Sequence, residues 1–370
     1  MIGFLYRKII KPILFLFKAD DVHLLFLKIG SFLGDSKYLK IFTKKIFSYK
    51  NKILKTKVVD INFENPIGLS AGFDYDADLI DILPSVGFGY HTIGTVTLFP
   101  YEGNTKPMLG RLPKSRSLLV NKGFKNSGII SVLKKINKKE KNIPIGISIG
   151  STNRIYKKIE DMIEDIYLSF EKVLEYDYFD YFELNISCPN LINVEGLKDK
   201  FDEPLGFGML LNKLSYLNIN RPLFIKMYLE KNKEETLTLC EVASTYKFVN
   251  GFIFSNLVKD RSNPKFDKKE IESAGRGNFS GKPTEEMTNN LISEVYKKYR
   301  DRFVIIGCGG VFTAFDAYEK IRRGASLVQM ITGMVYEGPS VIGKINKDLA
   351  KLLKKDGYKS ISDAVGSYYK

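Results

Sequence analysis

The stretch YFELNISCPN, residues 181–190, is an apolar run that ends in reactive and polar side chains. Asn185, Ser187, Cys188, Pro189 and Asn190 crowd its end, where a strand that only filled a core would simply turn. A cysteine thiol has a reference pKa of about 8.5 and serves as a general base where its thiolate is supported. Most cysteines are instead small buried hydrophobes. Cys240 and Cys308 lack the polar neighbours of Cys188 and read that way. Three widely spaced cysteines make no disulfide framework and match no zinc pattern, and two histidines, His23 and His91, are too few for a histidine-built metal site. Acid–base work in this chain therefore falls to Cys, Ser, Lys, Tyr or carboxylates.

Lys226 interrupts another apolar run, PLFIKMY, residues 222–228. A lysine inside a buried strand needs a partner. That partner is either a core carboxylate in a structural ion pair, or the electron-rich ring or anionic edge of a cofactor. Gly309-Gly310 and Thr332-Gly333 close the last two apolar runs of the chain. Glycine lets backbone N–H groups approach a phosphate closely, although tight turns use it too. The two pairs together point to a phosphate-bearing cofactor.

These residues need a scaffold, and the chain supplies a repeating one. Short apolar, β-branched runs occur at 65–72, 89–96, 143–150, 181–188, 222–228, 250–256, 303–310 and 326–333. Continuous apolar runs are the mark of parallel strands buried on both faces. Charged, helix-compatible segments lie between them, at 155–177, 231–247, 284–300 and 313–323. Eight such units predict an α/β fold, a (β/α)8 TIM barrel, where an open doubly wound sheet has about five or six strands. Residues 54–65 read as a small hairpin at the barrel's base and 191–220 as a loop insertion over its top. In such a barrel the chemistry sits at the carboxyl ends of the strands. Here those ends read Ser70-Ala71-Gly72, Gly94-Thr95, Ser148, Asn185 to Cys188, Lys226, Ser255-Asn256, Gly307 to Gly310 and Thr332-Gly333.

The 370 residues suffice for one large domain or two smaller ones. The formal charge of +15 is uneven: residues 1–57 hold 13 Lys or Arg against three Asp or Glu. A basic chain often meets nucleic acid, but this basic end contains no base-reading module. Charge concentrated in an apolar-rich end suits an anionic membrane surface instead. The longest unbroken apolar run there, Ile13 to Phe17, is far below the about 20 residues of a spanning helix. The reading is two short amphipathic helices, with Asp20 and Asp21 capping the second. The alternative is that they pack on the protein's own core. Residues 1–50 are thus expected to form an extension at a membrane surface, and 51–370 the barrel.

Taken in order, IGTVT, GFKNSG, NISCPN, FIKM, FSGKP, IIGCGG and GASLVQMITG resemble the dihydroorotate dehydrogenase family over nearly the whole chain. The N-terminal FLYRKIIKPILFLFKADDVHLLF resembles the helical extension of its membrane-associated, quinone-using branch. The resemblance implies an FMN-dependent barrel that oxidises dihydroorotate to orotate and passes the electrons to a quinone, peripherally on the cytoplasmic face of a membrane. It assigns FMN contacts to Ala71, Gly72, Thr95, Ser148, Asn185, Lys226, Ser255, Gly281, Gly310, Ile331 and Thr332. Cys188 would be the base. Tyr75, Asn121, Gly123, Phe124, Asn126, Asn185, Asn190 and Asn256 would surround the substrate, under a lid at 191–208.

Several positions depart from the family pattern. Quinone-branch members carry Ser at the base position and soluble ones Cys, so Cys188 is a soluble-branch residue in a quinone-branch body. The family's substrate-carboxylate Lys is Tyr75 here. Its strand-three Asn is Ser148, and its Asn-Thr after strand six is Asn256-Leu257. VNKGFKNSG fits the usual Asn-Arg-Met-Gly-Phe-Asn-Asn poorly, which leaves Lys122 or Lys125 to replace the lost cation. The flavin side matches better than the substrate side. Two other functions fit the same residues: a divergent flavin oxidoreductase acting on another cyclic amide or enone, and a non-catalytic flavin-binding protein anchored at a membrane.

Overall fold

The structure, a computed structural model, describes residues 2–192, 200–254 and 256–370. Eight parallel strands close into a barrel. In chain order they are β1 (Ile67–Leu69), β2 (Tyr90–Val96), β3 (Ile145–Ile149), β4 (Tyr181–Asn185), β5 (Leu223–Lys226), β6 (Val249–Phe254), β7 (Val304–Cys308) and β8 (Leu327–Met330). Each pairs with its neighbour in sequence, and β8 returns to β1. All eight coincide with the apolar runs read from the sequence. Helices Ile159–Leu174, Lys233–Ser244, Glu285–Tyr299 and Ala314–Arg322 fill the expected crossovers.

The alternation of side chains along a strand grades the barrel interior from apolar to polar. Along β4 the residues Tyr181, Glu183 and Asn185 stand two apart, and all three are buried. At the bottom, Tyr181 shares one cluster with Tyr90, Phe224, Ile253, Ile306 and Leu327. A Cβ on Gly146, the register partner of Tyr181, would stand 2.1 Å from the Tyr181 ring, so glycine there makes room for the ring. One layer up, Glu183 accepts hydrogen bonds from Thr92 Oγ1 at 2.7 Å and Gln329 Nε2 at 2.6 Å. At the top, Asn185 pairs in register with Lys226. The hairpin expected within 54–65 forms from Thr56–Val58 and Ile61–Phe63. Its Val58 and Phe63 join the cluster that seals the barrel's base.

Three expectations need correction. Residues 204–214, read as part of a loop over the barrel, form the helix between β4 and β5, with Pro204 in its first turn, where the missing N–H costs nothing. The N-terminal end contains more than two helices. Helical turns run from Ile2 to Leu14, then α1 (Ala19–Asp35) and α2 (Lys37–Phe47) follow. Asp20 does not cap α1: its carboxylate reaches across to accept from the Met108 and Leu109 backbone N–H groups. The sequence reading also lacked a three-stranded sheet of Leu109–Leu112, Ser117–Val120 and Asn278–Phe279. It carries the chain into the loop at 121–128.

Candidate functional site

One cavity, about 1700 Å³ of empty space with its mouth included, runs from the carboxyl ends of the strands to the N-terminal helices. It is lined by Ala71, Gly72, Thr95, Asn185 and Lys226 on the barrel rim, and by Gly281, Gly310, Ile331 and Thr332 near β7 and β8. Cys188, Tyr75, Gly123, Phe124, Asn190 and Asn256 line it too. Ser148 stands behind this wall, with its hydroxyl 2.9 Å from Thr95 Oγ1. Asn121 and Asn126 also stand behind it. Asn121 Oδ1 accepts from Asn104, while the Asn126 amide is spent on Thr97, Phe124 and Gly128 of its own loop region. Ser255 and residues 193–199 of the expected lid lie outside the described residues. Residues 204–208 of that lid belong to the helix already described.

Lys226 ends β5 with its ammonium 3.4 Å from Ser70 Oγ. No ion pair joins it to a carboxylate among the described residues; Glu183, one layer below, acts on it only through space. Burial raises the Glu183 carboxyl, and the Lys226 charge opposes that rise. Cys308, read from sequence as a packing residue, also faces the cavity, with Sγ 3.8 Å from Ser70 Oγ. At the β7–β8 end, the Ser280 and Thr332 hydroxyls are 2.8 Å apart. Gly310 has φ +72°, and a Cβ there would stand 2.4 Å from Glu285 Cβ, so both conformation and space require glycine.

Cys188 follows β4, and burial pushes its thiol up to about 11. The Asn190 backbone N–H and the charges of Lys226 and Lys259 pull the other way. Asn185 Nδ2 donates to Thr95 Oγ1 at 2.9 Å, and Asn256 Nδ2 donates to Ser187 O at 2.7 Å. Asn278 donates to Asn190 Oδ1 at 2.6 Å. The Asn104 amide joins the two loops over the rim, since its Nδ2 donates to Asn121 Oδ1 and to Asn190 O, each at 3.0 Å. Asn104 was not visible as a site residue in the sequence, because its partners Asn121, Asn153 and Asn190 come from three separate loops.

His23 of α1 is a second residue that sequence patterns did not single out. Its Nε2 is 2.8 Å from the Phe73 carbonyl, which can only accept, so Nε2 carries the proton. Nδ1 is then a lone pair facing Lys122 Nζ at 3.0 Å. Burial and the Lys122 charge hold the ring neutral, down to about 3. The Lys122 ammonium also sits 4.4 Å from the centre of the Tyr75 ring. Lys125 differs: its ammonium donates to the Glu102 carbonyl and pairs with the Glu102 carboxylate at the surface.

The family model described as "Dihydroorotate dehydrogenase" matches residues 53–353. A protein of Christiangramia forsetii named "Dihydroorotate dehydrogenase (quinone)" is 36% identical over 359 residues, covering 95% of this chain and 99% of that one. One of the same name from Trichodesmium erythraeum is 33% identical, covering 98% of each. The crystal structure of a DHODH from Eimeria tenella in complex with ferulenol superposes with a TM-score of 0.81 at 24% identity, over 94% of this chain and 95% of that one.

Proposed function

The chain belongs to the dihydroorotate dehydrogenase family, and from that membership we infer that it oxidises dihydroorotate to orotate, a step of pyrimidine biosynthesis, with a quinone as electron acceptor. The observation that carries this reading is one cavity lined at once by Cys188, the Lys226 ammonium and the glycine-bearing loops after β7 and β8.

The residues present suit FMN as the flavin. Lys226 is a buried cation with a hydroxyl beside it and, among the described residues, no paired carboxylate, which suits the anionic edge of an isoalloxazine. Gly310, Gly333 and the Ser280–Thr332 hydroxyl pair offer uncharged donors for a phosphate. Ala71, Gly72, Thr95, Asn185, Gly281 and Ile331 line the space between. When bound, FMN supplies the acceptor for the hydride and the relay of its electrons to the quinone. The rest is the work of the chain. Cys188 Sγ takes the proton from the ring carbon adjacent to the one that gives up hydride, and a carbon–carbon double bond forms between them. Asn185, Asn190 and Asn256 offer both donors and acceptors to a cyclic imide. Tyr75 and Phe124 add apolar wall around it.

The quinone reaches the flavin from the other end of the cavity, lined by Leu14, Phe15, Val22 and Phe26. Residues 1–50 form an extension that lies on the cytoplasmic face of a membrane. Support comes from Leu16, 84% exposed, and from Phe4, Phe17, Phe32 and Phe42, all more than half exposed, on the most basic part of the chain. No helix of the described residues is long and apolar enough to cross a membrane. The test is anaerobic addition of dihydroorotate to the purified yellow protein. Bleaching is expected; a protein that keeps its colour would instead be a flavin oxidoreductase for another substrate, or a non-catalytic flavin binder.

A further inference from the structure

Among the described residues, the cavity wall is charged in one sense only: Arg111, Lys122 and Lys226 are cations and none of the lining residues is Asp or Glu. The three are held differently. Arg111 donates to the Phe17 carbonyl at 2.8 Å and stacks 4.6 Å from the Phe15 ring, between the upper sheet and the N-terminal helices. Lys226 belongs to the barrel rim beside Ser70. Lys122 lies on the loop that Asn104 ties to the Cys188 loop. It is 7% exposed, and no carboxylate pairs with it among the described residues; Asp20 acts on it only through space. A buried ammonium that no carboxylate contacts is costly to keep charged, and an anion arriving in the cavity would offset that cost. Of its three N–H donors, one meets His23 Nδ1 and one faces the Tyr75 ring, which leaves one for a ligand.

We propose that Lys122, held by His23 of the N-terminal extension, binds the carboxylate of the substrate in this chain, in the role that the family pattern gives to position 75. The proposal rests on the reading of the chain as a dihydroorotate dehydrogenase. Tyr75 and Lys122 have exchanged parts: the cation comes from the upper loop, and the residue after β1 supplies the ring beneath it. The Tyr75 ring face stabilises the ammonium without neutralising it. His23, as an acceptor, does the same and fixes where the ammonium stands. Lys122 is thus a substrate-binding residue and His23 a positioning one. Lys125, paired with Glu102 at the surface, has no part.

The test uses the FMN-loaded full chain and two ligands, orotate and its uncharged amide, titrated by the flavin spectrum. In Lys122→Met, orotate should bind about 10- to 100-fold more weakly, as expected for the loss of a charge-assisted bond, while the amide stays within twofold. Lys122→Arg should stay within about tenfold of wild type for orotate. Adding Tyr75→Lys to Lys122→Met should recover at least tenfold. Equal loss of both ligands in Lys122→Met, or loss of neither, overturns the proposal, as does an Arg variant as weak as Met. Should Lys122→Met fail to hold FMN, Lys122→Gln takes its place under the same criteria. A wild-type protein that neither bleaches with dihydroorotate nor binds orotate overturns the functional reading itself. One that does both, beside an unaffected Lys122→Met, overturns only the role of Lys122.

Discussion

Lys122 Nζ stands 3.0 Å from His23 Nδ1, although the two residues are 99 positions apart and belong to different parts of the molecule. The contact joins α1 to the loop at 121–128, and both residues line the cavity. His23→Leu removes the acceptor while keeping an apolar side chain against Phe73 and Tyr75. The KM for dihydroorotate should rise about three- to tenfold, in line with one charge-assisted hydrogen bond partly replaced by water. The kcat and the FMN content should stay within twofold. A fall in kcat with KM unchanged would mean that His23 serves the quinone end of the cavity instead.

Burial pushes Lys122 down to about 7, with Asp20 opposing and Lys125 adding to the fall. Of the other groups facing it, His23 stays neutral because it is pushed down to about 3, and Tyr75 stays protonated because burial raises its phenol. Lys122 is therefore charged below about pH 7 and neutral above it. Orotate affinity should weaken as pH rises from 6 to 9, by up to about tenfold per unit above 7, while that of the uncharged amide stays level. Titrations at four pH values check this; parallel curves for the two ligands would remove Lys122 from the binding.

The pH dependence of the chemical step should run the opposite way. Cys188 is pushed up to about 11, so its thiolate is scarce at neutral pH and grows about tenfold per unit below that value. Flavin reduction at saturating dihydroorotate should thus accelerate between pH 7 and 9, as stopped-flow bleaching would record. Cys188→Ala should slow it by about 10²–10⁴, the usual worth of a positioned base, with the protein still yellow. An unchanged rate in that variant would leave the proton to another group.

Lys226→Met tests the flavin end. Methionine matches the length of the lysine stem and leaves no orphaned partner beyond the Ser70 hydroxyl, so the barrel should still close. FMN should bind at least tenfold more weakly, measured by fluorescence recovery on dilution. Affinity equal to wild type would mean that the ammonium faces something other than the cofactor.

The sequence was most legible where a single physical cause dominates. Strands buried on both faces must be apolar throughout, and all eight stand where their runs stand. The helix at 204–214 escaped because Pro204, Gly206 and Gly208 look like loop residues, yet Pro is harmless in a first turn and the helix gains its stability from packing Phe207, Leu210, Leu211 and Leu214. Residue type could not show that the Asn126 amide is consumed within its own loop region, nor that Cys308 faces the cavity. The His23–Lys122 contact was invisible for a different reason: it exists only once the extension docks on the barrel.

That docking leaves apolar surface uncovered, and the amount supports a final prediction. Leu16 and Phe17 follow the first helical turns and are 84% and 60% exposed. Full burial of such a side chain stabilises by about 1.5–3 kcal/mol, so two of them inserted at a lipid interface are worth well over tenfold in membrane affinity. Replacing both by Glu removes that gain and adds repulsion from anionic lipid. The Phe17 carbonyl that holds Arg111 belongs to the backbone and survives the change. Flotation with vesicles containing anionic lipid should show binding lost in Leu16→Glu/Phe17→Glu, together with a higher KM for a long-chain quinone presented in those vesicles. Bleaching by dihydroorotate should stay within twofold, because neither side chain lines the cavity. Binding retained by this variant would mean that the exposed residues meet something other than a membrane.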